Sequence, residues 1–217
     1  MKQIMTAILA LALALAAAGC GAGTAGVSGG SAADTAGVAG SSAEKPAELT
    51  ENEYYDDGTL MLTREYSEAG DLVKVSEYSE EGELAREEEY GGNGGPIMRE
   101  NSYFEGAVSR YAEFEYNEEG NLMARRVYKA DGTLFLLFEY DGGGLYMDGA
   151  ICLNETEYDE NGNVSWYIEY YENGVTWRTT RQYENGVLYK MSEYDENLIL
   201  QRTTTYNPDG SVLSVEE

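Results

Sequence analysis

The chain has 217 residues, enough for one or two domains, with 14 Lys and Arg against 40 Asp and Glu and a formal charge of −26. Such an excess of acid repels nucleic acid and favours cationic partners. There is no His, which excludes His-based catalytic triads and every His-ligated metal site.

Residues 1–20 open with a basic Lys2, followed by an apolar run from Ile4 to Ala18. This run is short for a membrane-spanning helix and has the form of a signal-peptide core. It ends in Ala17-Ala18-Gly19-Cys20, which resembles the bacterial lipobox. The resemblance implies cleavage after residue 19, a diacylglycerol thioether on Cys20, and membrane attachment of the mature chain outside the cytoplasm. Loss of Lys2 with the leader leaves 13 basic residues and 40 acidic ones, a charge of −27. Residues 20–50 are largely Gly, Ala, Ser and Thr, with little that could build a core, and read as a flexible tether.

From residue 51 to 217 one phrase returns: Tyr, a few turn residues, Gly, one residue, then Leu or Val. Tyr158-Asp159-Glu160-Asn161-Gly162-Asn163-Val164 is a clear copy. The tyrosines at 66, 78, 90, 103, 116, 128 and 140, then at 158, 170, 183, 194 and 206, recur at about 12 residues, with one step of 18. The seven-residue runs between turns, such as Val164–Tyr170, are rich in Tyr, Val, Thr and Trp and lack Pro, which predicts strands. A turn per period predicts an all-β antiparallel meander of about twelve short strands. The expected form is an elongated, twisted, largely single-layer sheet, or one curling toward an open barrel.

The register follows from the turn chemistry. With Glu68-Ala69-Gly70 as a three-residue loop and Gly70 left-handed, Tyr66 faces Leu72. The same rule pairs Tyr78 with Leu84, Tyr116 with Leu122, Tyr128 with Leu134, Tyr158 with Val164 and Tyr206 with Val212. Asn173-Gly174 and Asn185-Gly186 predict two-residue type I′ turns. Strict alternation would place Glu65, Glu77, Glu89, Glu115, Glu139, Glu157, Glu169 and Glu193 together on one acidic face. The pattern breaks at 91–96, between Tyr140 and Tyr158, and at Leu198, where Gly is expected, Asn197 is assigned the turn and the register is open to a slip.

Tyr171-Glu172-Asn173-Gly174-Val175 and Tyr183-Glu184-Asn185-Gly186-Val187 resemble the MORN-variant repeat of bacterial surface and antitoxin-like proteins. The phrase at 158–164 resembles the YD repeat of the Rhs type. These resemblances imply a β-repeat fold and surface interaction, not a reaction, and no catalytic constellation, cofactor or metal is expected. Cys152, without a His partner, reads as a small buried hydrophobe. The tyrosine rows serve as cross-strand pairs or as stacking surfaces for sugar rings. Trp166, Tyr167, Trp177, Arg178 and Tyr189 are the candidate ligand-binding residues. The only two tryptophans lie there, with Arg178 and Arg181 as cations in an acidic chain. Counting back from Asn173-Gly174 pairs Tyr170 with Trp177 and Ile168 with Thr179, which would put Trp166 and Trp177 on one face with the cations beside them.

The function expected is a lipid-anchored surface protein whose repeat sheet binds a protein or a cell-wall polysaccharide. The alternative is an antitoxin-like immunity protein or a structural spacer acting through its acidic surface.

Overall fold

The computed structural model describes residues 49–146 and 148–217. The leader, Cys20 and nearly all of the tether lie outside the described residues. The sheet begins at Leu49, two residues before the boundary expected from composition.

Fourteen strands follow in chain order: β1 Leu49–Tyr54, β2 Leu60–Tyr66, β3 Leu72–Tyr78, β4 Leu84–Tyr90, β5 Ile97–Phe104, β6 Ala107–Tyr116 and β7 Leu122–Lys129. The second half comprises β8 Leu134–Tyr140, β9 Cys152–Tyr158, β10 Val164–Tyr170, β11 Trp177–Glu184, β12 Val187–Tyr194, β13 Leu200–Tyr206 and β14 Val212–Glu216. Each strand pairs only with its sequence neighbours, so they form one open antiparallel meander that does not close into a barrel. There are two more strands than expected. Tyr54 ends a strand that the tyrosine series starting at Tyr66 leaves out, and β14 runs on after Tyr206 with no tyrosine of its own.

The hairpin rule holds in detail. Tyr66 pairs with Leu72, Tyr78 with Leu84, Tyr116 with Leu122, Tyr128 with Leu134, Tyr158 with Val164 and Tyr206 with Val212. Gly70 is left-handed at φ 88°. Its N–H donates to the Ser67 carbonyl, and the Ser67 N–H donates to the Asp71 carbonyl, closing the turn as a type I loop with a left-handed last residue. Turn carboxylates satisfy their own backbone: Asp159 Oδ1 accepts from the N–H groups of Asn161 and Asn163, both at 2.8 Å. These bonds, the one from Asn163 foremost, hold the carboxyl below its usual range.

Three turns depart from expectation. Asn185-Gly186 is a type I′ turn, with φ 53° and 77°, but Asn173-Gly174 is not, because only Gly174 is left-handed. There the Asn173 side chain accepts from Val175 and Thr176 N–H, and the loop closes instead between Tyr171 N–H and Thr176 O. A second type I′ pair, Glu105-Gly106 at φ 51° and 76°, carries no Asn and was not anticipated. At the irregular turn it is Leu198, not Asn197, that takes the left-handed position, at φ 60°. Its N–H donates to Asp195 O as glycine does elsewhere, and Tyr194 still faces Leu200, so the register does not slip. A non-Gly residue there costs about 1 kcal/mol, and Leu198 is 52% exposed, so little burial offsets it. Leu198→Gly is therefore expected to raise stability by about 0.5–1 kcal/mol, read as a higher denaturant midpoint at unchanged slope. A lower midpoint would contradict the assignment.

A second irregularity overturns the single acidic face. Every hairpin skips one residue just inside its turn; between β2 and β3, Tyr66 pairs with Leu72 but Glu65 with Lys74. The extra residue is a bulge, and it reverses the face parity from one strand to the next. Equivalent positions therefore alternate faces. Glu65, Glu89, Glu115, Glu139, Glu169 and Glu193, on even-numbered strands, share one face. Glu77 and Glu157, on odd-numbered strands, lie on the other. On the first face Glu65, Lys74, Glu89, Arg99, Glu113 and Arg126 pair in sequence across β2 to β7, opposite charges on successive strands. This arrangement avoids like-charge cross-strand neighbours.

The core lies on the second face. Ala112, Phe114, Leu122 and Val127 are buried, and Leu122 is fully so. Their cover is the 18-residue step. Between β8 and β9 the chain folds back, anchored by Leu122 N–H to Gly144 O at 2.8 Å. Asp141 Oδ1, accepting from the N–H groups of Gly143 and Ile151, fixes its base. Tyr146 then meets the Phe114 ring edge-on at 4.8 Å. The described residues of this segment, 141–146 and 148–151, form a cap that supplies a local second layer.

Candidate binding surface

Bulge parity decides where each candidate residue points. Tyr167 and Arg181 are direct partners on the first face, where the Arg181 guanidinium lies 4.8 Å from the Tyr167 ring centre. Trp166 is on the capped face, between Glu157 and Gln182. Tyr189 is tied to the same place, its hydroxyl donating to Gln182 Oε1 at 2.7 Å. Burial raises the Glu157 carboxyl above its usual range, with Glu155 adding to the effect. Trp177 faces Tyr170 as expected and packs edge-on against Tyr194 at 6.2 Å; it is 40% exposed. Ile168, however, pairs with Thr180 rather than Thr179, the bulge having consumed one residue. The five candidates are thus not one patch: Tyr167, with Arg181 beside it, stands behind the sheet from Trp166.

The first face around β9 to β11 carries a connected polar network. Tyr167 donates its hydroxyl to Asn154 Oδ1 at 2.7 Å, and Asn154 donates to Glu139 at 3.4 Å. Glu169, directly opposite Asn154, accepts from the Thr179 hydroxyl at 3.1 Å and from Arg178 at 3.3 Å, with Arg181 at 3.8 Å. Sequence reasoning picked Tyr167 and Arg178 but missed Asn154 and Glu169. Their signal is the row of Glu at the penultimate strand position, taken together with the skipped residue in each hairpin.

Beside this network an open cleft of about 780 Å³ is lined by Asn154, Glu169, Tyr171, Glu172, Asn173 and Arg178, among others. Its rim is the β10–β11 turn, held by the Tyr171 hydroxyl donating to Tyr194 O at 2.7 Å. The Arg178 side chain is 60% exposed, so one edge of its guanidinium is free for a ligand. Cys152 lies nearby at the start of β9. Its thiol is pushed up to about 12, chiefly by burial and then by Glu155, which disfavours the thiolate.

No family model matches the chain, and no curated protein matches it. Among solved structures, the accessory secretory protein 1, 2 and 3 structure of Streptococcus pneumoniae is 15% identical over 43% of this chain and 17% of that one, at a TM-score of 0.32. S. aureus TarM is 9% identical over 70% and 20%, at a TM-score of 0.21. A TcdB2-TccC3 structure is 13% identical over 77% and 11%, at a TM-score of 0.23. The chain therefore spans at most 20% of the length of these three.

Proposed function

We propose that this chain is a binding module rather than an enzyme, tethered outside the cytoplasm through lipidated Cys20, and that its ligand is a bacterial cell-wall polysaccharide. The observation that supports this most is the cleft at the β10–β11 turn, where carboxylates, amides and an exposed guanidinium converge on an open surface. Sugar hydroxyls both donate and accept. Glu169 and Glu172 accept from them, Arg178 donates, and Asn173 can do both. An open cleft suits a polymer segment lying on the surface rather than a small substrate that is enclosed. The resemblance to surface repeats points the same way.

A second reading has its own observation. Without Lys2 the chain carries 13 basic residues against 40 acidic ones, which suits a cationic protein partner of the kind an immunity protein would hold.

Retention of residues 20–217 on cell-wall polysaccharide separates the two. Binding is expected to survive salt near 1 M, where the Debye length is about 3 Å, and to fall about tenfold in Arg178→Ala. No retention of the parent chain, or full retention of the variant, would refute the cleft reading. Capture of a protein partner that is lost in high salt would favour the second.

A further inference from the structure

The cap forms a second concavity, away from the β10–β11 cleft. A groove of about 270 Å³ runs between the cap and strands β4 to β6, lined by Glu88, Tyr90, Ile97, Tyr116 and Tyr146, among others. Two of its rings are pinned. The Tyr116 hydroxyl donates to Ile97 O at 2.7 Å and the Tyr90 hydroxyl to Glu88 Oε2. Burial raises both phenols, Tyr116 to about 12, so they stay neutral.

The same face already holds one cation in an aromatic setting. The Arg125 guanidinium lies 5.5 to 5.7 Å from the ring centres of Phe114, Phe138 and Tyr146. Tyr146 belongs to both the Arg125 cage and the groove. Arg125 reaches Glu100 at 3.5 Å. Glu100 also meets Arg86, which pairs with Glu77 and Glu88 as well. Two guanidinium groups against three carboxylates leave this cluster with one negative charge in surplus, inside a chain whose overall field draws cations.

From this we infer that the groove is a site for a quaternary ammonium group. Three tyrosine walls supply the cation–π attraction, and the surplus charge of the cluster supplies the Coulomb term. A divalent metal ion is disfavoured because it needs six or more oxygen ligands, and a single side-chain carboxylate lines the groove. A primary ammonium is disfavoured because its three N–H donors need acceptors, and the Glu88 oxygens are engaged by Arg86 and Tyr90. A methylated ammonium needs no acceptor and gains from every ring.

The test is calorimetric titration of residues 20–217 with choline, with its uncharged isostere 3,3-dimethyl-1-butanol and with ethanolamine. Choline is expected to bind about tenfold more tightly than either. Tyr146→Ala, on the cap, is expected to weaken choline about tenfold; Glu88→Gln, nearly isosteric, is expected to weaken it severalfold and guards against loss through misfolding. Equal binding of the uncharged isostere, tighter binding of ethanolamine, absence of choline binding, or full affinity in a folded Glu88→Gln and a folded Tyr146→Ala would overturn the assignment.

Discussion

Leu122→Ala is expected to lower the unfolding free energy by about 3 kcal/mol, and Leu200→Ala by less than about 0.5 kcal/mol. The two leucines occupy the same place in the repeat, each the first residue of its strand and each opposite a tyrosine, Tyr116 and Tyr194. Repeat logic alone would make them equivalent. They differ in cover. Leu122 is 0% exposed, with the Gly144 carbonyl hydrogen-bonded to its N–H, whereas Leu200 is 52% exposed. Truncating the first removes buried methyls and leaves a cavity beneath the cap; truncating the second removes atoms already in water. Guanidinium denaturation of the two variants measures the difference, and equal shifts would show that the cap does not make the core.

Gly144→Ala is expected to cost about 2–3 kcal/mol through overpacking. A Cβ at this position would lie 2.5 Å from Asp148 O, 2.6 Å from Gly149 C and 2.8 Å from Ala150 N. All three are backbone atoms of the cap itself, so no rotamer change relieves the clash and the loop must open. Opening breaks the Leu122 to Gly144 bond and lifts Tyr146 from Phe114, and the near-ultraviolet circular dichroism of the packed tyrosines should weaken with it. At Gly143 the added carbon would meet only the Asp141 carboxylate, at 2.9 Å. A side chain yields more readily than backbone, although Asp141 Oδ1 also holds the Gly143 and Ile151 N–H groups, so Gly143→Ala is expected to cost about 1 kcal/mol, less than Gly144→Ala. The reverse order of the two variants would contradict the geometry of the cap.

The strand ladder was legible in the sequence because its determinants are local. Tyrosine spacing sets the period, and the glycine two residues before Leu72 or Val164 sets the turn, so the tyrosine pairings follow from turn chemistry alone. What lay beyond reach depends on contacts distant in sequence or on one residue of slippage. The skipped residue in each hairpin leaves no mark in composition, yet it decides that Trp166 and Arg181 stand on opposite faces. The 18-residue step was visible as a break, but that Tyr146 returns to Phe114, 32 positions earlier, is a tertiary fact. Leu198 shows the opposite failure. Propensity assigned the turn to Asn197, while the register of the flanking strands imposed a left-handed backbone on leucine.

The central claim is that segment 141–151 converts an otherwise single-layer sheet into a two-layered core over β6 to β8. Native-state hydrogen exchange tests it most directly. The account predicts the slowest amides in β6, β7 and β8, with protection declining toward β1 and β14, and a selective collapse of that maximum in Gly144→Ala. Protection spread evenly from β2 to β13, and unchanged by Gly144→Ala, would contradict it.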